Sequence, residues 1–506
     1  MLLKIDQFLD RFSMYRLLIY YLTSLIALAI ILALLGTITY NPLSILLSSA
    51  ITVFSCWLIN LIFASIFDLP TAFESSIITG LILSLIISPT LGLYNILFML
   101  AASGLAMASK YILTYKHKHI FNPAAIAVVL TALGPHQTAN WWIGTGSMLP
   151  LVIIGGYLII RKIRREKMIL VYLISTSLST ILFALISRVS VSTSIYDMVF
   201  ESAVFFLGLV MLTEPLTSPV KKKNQLIYGG IVGFLLPPQV HFLNFYTTPE
   251  ISLVIGNIYS FIVNPKVNLL PILKEKIRLS KDCLEFVFNP TKNFSYLPGQ
   301  YMEWTIPHSN TDSRGNRRYF TLSSSPTEKD VRIGVKFYNK GSSFKKAMLS
   351  LNKNSLLLAG NLGGDFILPN DKSRKLLFIG GGIGITPFRS MLKYLIDKDE
   401  KRDIILFYSI KNETEIIYRD ILKEATQNLG IKIYFVLTDK KVNLKVPNII
   451  NQRLDFNILE KVVDDIDQRL IYISGPNIMV KQLTRELRKN NISPRNITTD
   501  LFSGYS

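Results

Sequence analysis

The hydrophobic pattern of the chain changes once along its length. From residue 15 to 265, Leu, Ile, Val, Phe and Ala recur in long runs, with polar residues confined to short breaks. From 270 to 506, short apolar and polar runs alternate and Lys and Asp are frequent. Ten apolar segments stand out in the first part, near 15–36, 43–67, 74–89, 93–114, 121–134, 147–161, 168–187, 198–213, 226–240 and 249–265. The first, Leu17 to Leu35, approaches the ~20 apolar residues that cross a bilayer as a helix. It lacks a small-residue cleavage site and leads into further apolar segments, so it reads as a span and not as a removable signal. The third, fifth and ninth are short, which suggests tilted, broken or re-entrant helices.

Asn264-Pro265-Lys266-Val267-Asn268 marks the junction. Between 268 and 370, period-two runs are punctuated by Pro298-Gly299, Asn339-Lys340-Gly341 and Gly363-Gly364, which predicts a small antiparallel barrel. Beyond it, strand-like runs at Lys375–Ile379, Ile404–Tyr408, Ile431–Leu437 and Leu470–Ser474 alternate with helix-length segments, which predicts a parallel α/β sheet. The expected architecture is a polytopic α-helical membrane domain (1–267), a β-barrel (268–372) and a parallel α/β domain (373–506).

Charge supports a membrane orientation. The 506 residues carry a net charge of +20, but the basic clusters lie between apolar segments: Lys116-His117-Lys118-His119, Arg161-Lys162-Ile163-Arg164-Arg165 and Lys221-Lys222-Lys223. That is the topological use of positive charge, not the basic stripe with aromatic readers that nucleic acid requires. If the N-terminus (Lys4, Arg11, Arg16) is inside, every basic loop is inside, and the loops Gly134–Gly146 and Pro237–Pro249 on the other side hold no Lys or Arg. An even number of spans then returns the chain to the cytoplasm, so an integral cell (inner) membrane protein with both termini cytoplasmic is expected. The two cysteines, Cys56 and Cys283, exclude a disulfide framework and a Cys-ligated iron–sulfur cluster. None of the five histidines (His117, His119, His136, His241, His308) lies well inside a span, which argues against bis-His haem.

The chemistry is concentrated in the second half. The strand Leu376–Ile379 runs into Gly380-Gly381-Gly382-Ile383-Gly384-Ile385-Thr386-Pro387. Such a turn lets the backbone approach a pyrophosphate, with free N–H groups at the start of the next helix. Arg318-Tyr319-Phe320-Thr321-Leu322-Ser323 suits a flavin strand: Arg318 for the pyrophosphate, Phe320 for the ring face, the Thr321 hydroxyl for the ring N5. Pro298-Gly299-Gln300-Tyr301 precedes it, and Gly341-Ser342-Ser343 follows as a small polar turn suited to phosphate. Ser474-Gly475-Pro476-Asn477 and Asp500-Leu501-Phe502-Ser503-Gly504-Tyr505 complete the series. Plainer readings stand beside these: Thr321 as a β-branched strand residue, and Phe502 as packing. Tyr408-Ser409 and Lys411 read as a nucleotide 2′-phosphate contact or as a solvated loop, which leaves NADH and NADPH both open.

With five motifs in order over nearly the whole half, residues 268–506 resemble the ferredoxin–NADP reductase superfamily. The resemblance implies hydride transfer from NAD(P)H to FAD and one-electron transfers onward. It places Arg318, Tyr319, Phe320, Thr321, Ser323, Gly341, Ser342 and Ser343 at FAD. It places Gly381, Gly382, Gly384, Thr386, Pro387, Gly475 and Pro476 at the nicotinamide nucleotide. Thr321, Ser474 and Phe502 are its candidate catalytic residues, Phe502 as an aromatic cover on the flavin. Ser474 stands where many relatives have Cys.

The first half carries Asn122-Pro123-Ala124-Ala125, Gly155-Gly156, Thr213-Glu214-Pro215-Leu216-Thr217-Ser218-Pro219 and Tyr228-Gly229-Gly230. Singly, these read as helix punctuation and close packing. In order, over roughly 15–265, they are similar to the NqrB/RnfD family of ten-span redox subunits. The family implies flavin binding in the membrane and, in some members, a quinone and coupled ion movement, with Asn122, Thr213 and Glu214 as candidate contacts. The loop Gly144-Thr145-Gly146-Ser147 lacks the Ser-Gly-Ala-Thr type acceptor of covalent FMN, which leaves noncovalent FMN or riboflavin, or a quinone.

The expectation is a membrane flavoprotein that passes electrons from NAD(P)H through FAD to a flavin, quinone or external acceptor. Two other readings stand: a redox-driven Na⁺ or H⁺ pump or pump subunit, and a membrane-anchored reductase of a soluble electron carrier.

Overall fold

The computed structural model describes residues 2–9, 11–67, 73–115, 118–134, 137–242, 245–264, 268–308, 311–312, 315–338, 341–437 and 448–501. It forms two compact units, Met1–Lys266 and Val267–Ser506.

The first unit is helical: α1 (Leu2–Leu9), α2 (Met14–Leu34), α3 (Pro42–Ile66), α4 (Phe73–Ile86), α5 (Leu93–Ile112), α6 (Pro123–Leu133), α7 (Leu149–Ile163), α8 (Glu166–Ile186), α9 (Val191–Phe200), α10 (Val204–Met211), α11 (Lys222–Leu235) and α12 (Pro249–Val263). Two small hairpins interrupt it, β1 (Thr114–Tyr115) with β2 (Lys118–His119) and β3 (His241–Phe242) with β4 (Phe245–Tyr246). Large apolar side chains face outward as well as inward: Leu34 is 70% exposed and Leu178 63%, while Leu22, Leu83 and Met107 are buried. A helix apolar all round belongs in lipid, and the unit reads as an integral membrane domain.

Each of the ten apolar segments is helical, yet among the described residues only α2, α3, α5 and α8 are long and apolar enough to cross a bilayer. Counting α9 and α10, bent by 54°, as one span makes five. The shortfall has local causes. Proline opens α6 and α12. Gly134 follows the end of α6, and Pro237-Pro238 follows α11. α10 ends in a π-helical stretch, Leu207–Met211. Arg161 and Lys162, read as a loop cluster from sequence, sit in the last turn of α7, where cations face the free carbonyls. Arg161 pairs there with Asp6 of α1 at 2.8 Å.

The second unit begins with two antiparallel sheets. One has the order β10 (Val331–Lys336), β7 (Cys283–Asn289), β6 (Ile272–Arg278). The other runs β5 (Asn268–Leu269), β11 (Leu358–Gly363), β8 (Tyr301–Thr305), β9 (Arg317–Thr321). An isolated bridge from Ile272 to Leu356 links them. Trp304, Phe286, Phe288 and Phe344 of α13 (Ser343–Ser350) fill the space between.

The rest is a six-stranded parallel sheet of order β15 (Ile449–Ile450), β14 (Lys432–Leu437), β13 (Ile404–Ile410), β12 (Leu376–Gly381), β16 (Leu470–Gly475), β17 (Ile497–Leu501). Both faces are covered. Leu376 and Phe378 of β12 pack with α14 (Thr386–Asp397) and α15 (Arg419–Leu429). Leu377 and Ile379 pack with α16 (Phe456–Val462) and α17 (Asn477–Lys489). A strand buried on both faces reads as an unbroken apolar run, which is how Leu376–Ile379 reads. The strand order reverses beside β12, leaving a crevice between the C-terminal ends of β12 and β16, the place where open α/β sheets bind ligands.

At the opposite end of these strands Arg469 bridges Asp403 at 2.8 Å and Asp465 at 2.6 Å. Hydrogen bonding from Arg469, and then from Lys375, pulls the Asp465 carboxyl down to about 2. A carboxylate depressed in the folded state adds stability above its ordinary value of 3.8, and that stability is lost as pH falls toward 2. Asp465→Asn is therefore expected to lower the melting temperature by roughly 2–4 °C at neutral pH. The difference from the parent protein should close between about pH 4 and pH 2, as followed by circular dichroism on heating.

Candidate functional site

The glycine turn after β12 lies in the crevice. Gly382 has φ +52 and open space where a side chain would stand. Gly384 is required for a different reason: a Cβ there would lie 2.5 Å from the Ser474 carbonyl oxygen and 2.6 Å from the Gly475 backbone. Gly381 packs as closely, its would-be Cβ 2.7 Å from the Met479 side chain. These two glycines let the β12 turn and the β16 turn touch, and Gly382 leaves the surface open. Thr386 starts α14 and its hydroxyl donates to the Ile383 carbonyl at 3.0 Å, with Pro387 in the first turn. Gly475 has φ +149 and Pro476 precedes α17. Ser474 is fully buried, and its Oγ has no hydrogen-bond partner among the described residues.

The flavin-type strand β9 is the edge of its sheet. Its Thr321 hydroxyl donates to Asp500 of β17 at 3.5 Å, and Asp500 pairs in register with Ser474. Thr321 therefore reaches, through Asp500, the strand that lies beside Ser474. The Arg318 guanidinium is buried 5.0 Å over the Phe344 ring, with Nη1 donating to the carbonyls of Gly315 and Arg317. Phe320 is half-buried, 6.0 Å from Phe344, and Tyr319 faces outward against Tyr301.

Two expected phosphate contacts have partners inside the protein. Ser342 caps α13, its Oγ accepting from the Lys345 amide. The Ser343 amide donates to the Asp312 carboxylate at 2.8 Å, next to Gly341. Ser323 Oγ donates to buried Glu285 at 2.9 Å and so turns into the core. Phe502 lies outside the described residues.

The membrane unit holds a separate polar cluster. Asn122 caps α6 through Oδ1, and its Nδ2 donates to Glu214 Oε2 at 3.0 Å. Glu214 also accepts from Thr217 at 2.9 Å and lies 3.3 Å from His119 Nε2. The Asn122 amide donates to Asn257 Oδ1 at 2.7 Å, and Asn257 donates to the Tyr228 hydroxyl at 3.1 Å. Asn122 and Glu214 line a small cleft of about 30 Å³ with Tyr15, Ser75, Thr79 and Val210. Thr213 stays out of the cluster, its hydroxyl donating to the Leu209 and Val210 carbonyls of its own helix.

Sequence reasoning passed over Asp500, Glu285, His119, Asn257 and Tyr228 as site residues. Asp500 and Tyr228 stood inside quoted motifs, and His119 inside a basic cluster. Glu285 and Asn257 carried no local signal.

Comparison with known proteins divides the chain in the same way. Residues 378–485 match the oxidoreductase NAD-binding domain family, and 136–250 match the NQR2, RnfD, RnfE family. Among curated proteins, flavohemoprotein A of Dictyostelium discoideum is 25% identical over 251 residues, 46% of this chain and 59% of that protein. Sulfhydrogenase 2 subunit gamma of Pyrococcus furiosus is 27% identical over 232 residues, 42% of this chain and 75% of that protein. The chain thus spans less than two-thirds of the flavohemoprotein's length. A solved FAD/NAD-binding domain of nitric oxide dioxygenase from Vibrio cholerae aligns at TM-score 0.41 with 18% identity, over 46% of this chain and 98% of its own. The C-terminal half is similar to oxidoreductases that carry this NAD-binding domain. The chain joins that module to a membrane domain similar to the NqrB/RnfD family.

The close approach at Gly384 yields a direct test. Gly384→Ala should separate the β12 and β16 turns at a cost of about 1–3 kcal/mol. NAD(P)H reduction of the flavin should weaken at least ~10-fold while bound FAD is retained, as checked by extracted flavin and anaerobic NADH titration.

Proposed function

We propose that the chain is a membrane flavoprotein oxidoreductase that carries electrons from NAD(P)H, by way of FAD, to a flavin or quinone held in its membrane domain. The observation that carries this reading is the Thr321–Asp500 contact, which ties the flavin-type strand to β17 at its register position beside Ser474, next to the crevice between β12 and β16. A ring on β9 and a nucleotide on the glycine turn would be brought together there. FAD, when bound, accepts a hydride and releases electrons singly. Gly382 and the start of α14 would receive the dinucleotide phosphates, and the orphan Ser474 Oγ offers a hydrogen bond to the nicotinamide. Arg318 and Phe320 would hold the flavin phosphate and ring, with Thr321, set by Asp500, at the reacting edge.

In this reading the domains are 1–267, 268–372 and 373–506, and the two antiparallel sheets close as a barrel. All ten helical segments cross the membrane, with both termini cytoplasmic. The shorter helices, about 17 Å for α6 at ~1.5 Å per residue, are completed by irregular backbone kept inside the protein. The cleft beside Asn122 and Glu214 is small, about 30 Å³, and widens to take a noncovalent FMN or riboflavin, or a quinone, its polar rim facing the ring edge. A second reading, a redox-driven ion pump, draws on Glu250, a buried carboxylate hydrogen-bonded to the Trp141 indole at 3.1 Å. A charge at such a site needs a proton or cation with it.

Glu214→Gln separates the two halves of the path. In liposomes the variant should reduce FAD with NADH at the parent rate but pass electrons to a quinone analogue about tenfold more slowly, the loss of hydrogen bonds to a charged group. Unchanged quinone reduction would contradict a Glu214 site. A rate that responds to Na⁺ or to ionophores would favour the pump.

A further inference from the structure

The second unit holds a buried ionic cluster between the flavin-type sheets and the parallel sheet. Arg389 lies one turn into α14, three residues past Thr386, and is 5% exposed. Its guanidinium grips Glu328 with both terminal nitrogens, Nη2 donating to Oε1 at 2.9 Å and Nη1 to Oε2. Nη1 also donates to the Ser323 carbonyl at 3.0 Å, two residues beyond Thr321. The next residue, Ser390, donates to the Ser324 carbonyl at 2.6 Å.

Supports on the other side hold these partners in place. The Ser325 amide donates to Glu328 at 2.7 Å. Arg332 reaches Glu328 at 3.6 Å and Glu285 at 3.0 Å, and Glu285 accepts from Ser323 Oγ at 2.9 Å. The Tyr418 ring lies 5.7 Å from the Arg389 guanidinium. Two cations and two carboxylates thus share one site, and losing Glu328 would strand the buried Arg389 guanidinium.

We propose that Arg389 is a positioning residue for hydride transfer, fixing the nicotinamide helix against the strand that carries Thr321. This rests on the function proposed above. A hydride moves only when donor and acceptor lie within about 3–3.5 Å, and a misplacement of about 1 Å costs on the order of 100-fold in rate. The flavin strand and the nucleotide turn belong to different sheets. The Thr321–Asp500 contact is long at 3.5 Å, whereas the Arg389 clamp is buried, charged and two-pronged. Geometry set at the first turn of α14 is therefore passed to the backbone beside Thr321.

The test uses the full-length protein in detergent, with anaerobic stopped-flow reduction of its flavin by NADH and NADPH. Arg389→Lys keeps the charge but loses the two-pronged grip. Glu328→Gln keeps the shape and loses the charge. Each should retain FAD, slow flavin reduction at saturating nucleotide by about 10- to 100-fold and leave KM little changed. The double variant should be no slower than the slower single, because the two act as a unit. Lys393→Ala, which breaks the exposed Lys393–Asp397 pair on the same helix, should reduce at the parent rate. Parent rates in both Arg389→Lys and Glu328→Gln, with only the melting temperature lowered, would overturn the proposal and leave the function standing. A parent protein whose flavin neither nucleotide reduces would overturn the function itself.

Discussion

A hydride passes only between rings in contact, and in the proposed function the second unit is organised around that requirement. One partner belongs to an edge strand of an antiparallel sheet and the other to the open ends of a parallel sheet. Among the described residues no regular ladder joins the two. Apolar packing, as of Cys283 and Phe366 against the parallel-sheet core, is joined there by specific polar groups: the Thr321–Asp500 bond, the buried Arg389–Glu328 pair and the Ser390 bond to Ser324. The glycines serve the same end, since Gly381 and Gly384 let two turns touch where a Cβ would hold them apart.

The membrane unit answers a different constraint. Water is scarce inside it, so each polar side chain must find a partner in the protein. Many serines and threonines do so on their own helix, as Thr52 does with the Ser48 carbonyl at 3.0 Å. Glu214 cannot. It collects Asn122, Thr217 and His119, and through Asn122 the cluster reaches Asn257 and Tyr228. That expense of polar groups beside a cavity is what separates the cluster from helix punctuation. The bend between α9 and α10 and the π-helical stretch after it lead directly into Thr213 and Glu214, so the irregular backbone and the acid arrive together.

Much of the architecture was legible because its periodicities are strong. The apolar runs named most helices of the first unit, and Lys375–Ile379, Ile404–Tyr408, Ile431–Leu437 and Leu470–Ser474 each overlap one of four of the six parallel strands, starting within one residue of it. β15 escaped notice because it has two residues, and β17 because its middle, Thr498-Thr499-Asp500, is a polar run. Helix lengths escaped because an apolar run does not reveal where proline or a π-helical turn will break it. At the candidate sites, motifs named residues but not their partners. Asn122 and Glu214 came from separate motifs 92 positions apart, and Thr321 and Asp500 are separated by 179. Ser323 shows the converse: it sits in a flavin-type motif, yet its hydroxyl serves Glu285 in the core. Local spacing cannot reveal such pairings, because folding alone brings those positions together.

The claim on which the rest depends is that this chain holds FAD between a nicotinamide site and a membrane acceptor. Acid extraction and chromatography of the flavin in the detergent-purified protein tests it most directly. The account predicts one FAD per chain, accompanied by a near-equal amount of FMN or riboflavin if the Glu214 cavity takes a flavin, and by FAD alone if it takes a quinone. Protein that is folded, full-length and free of FAD would contradict it.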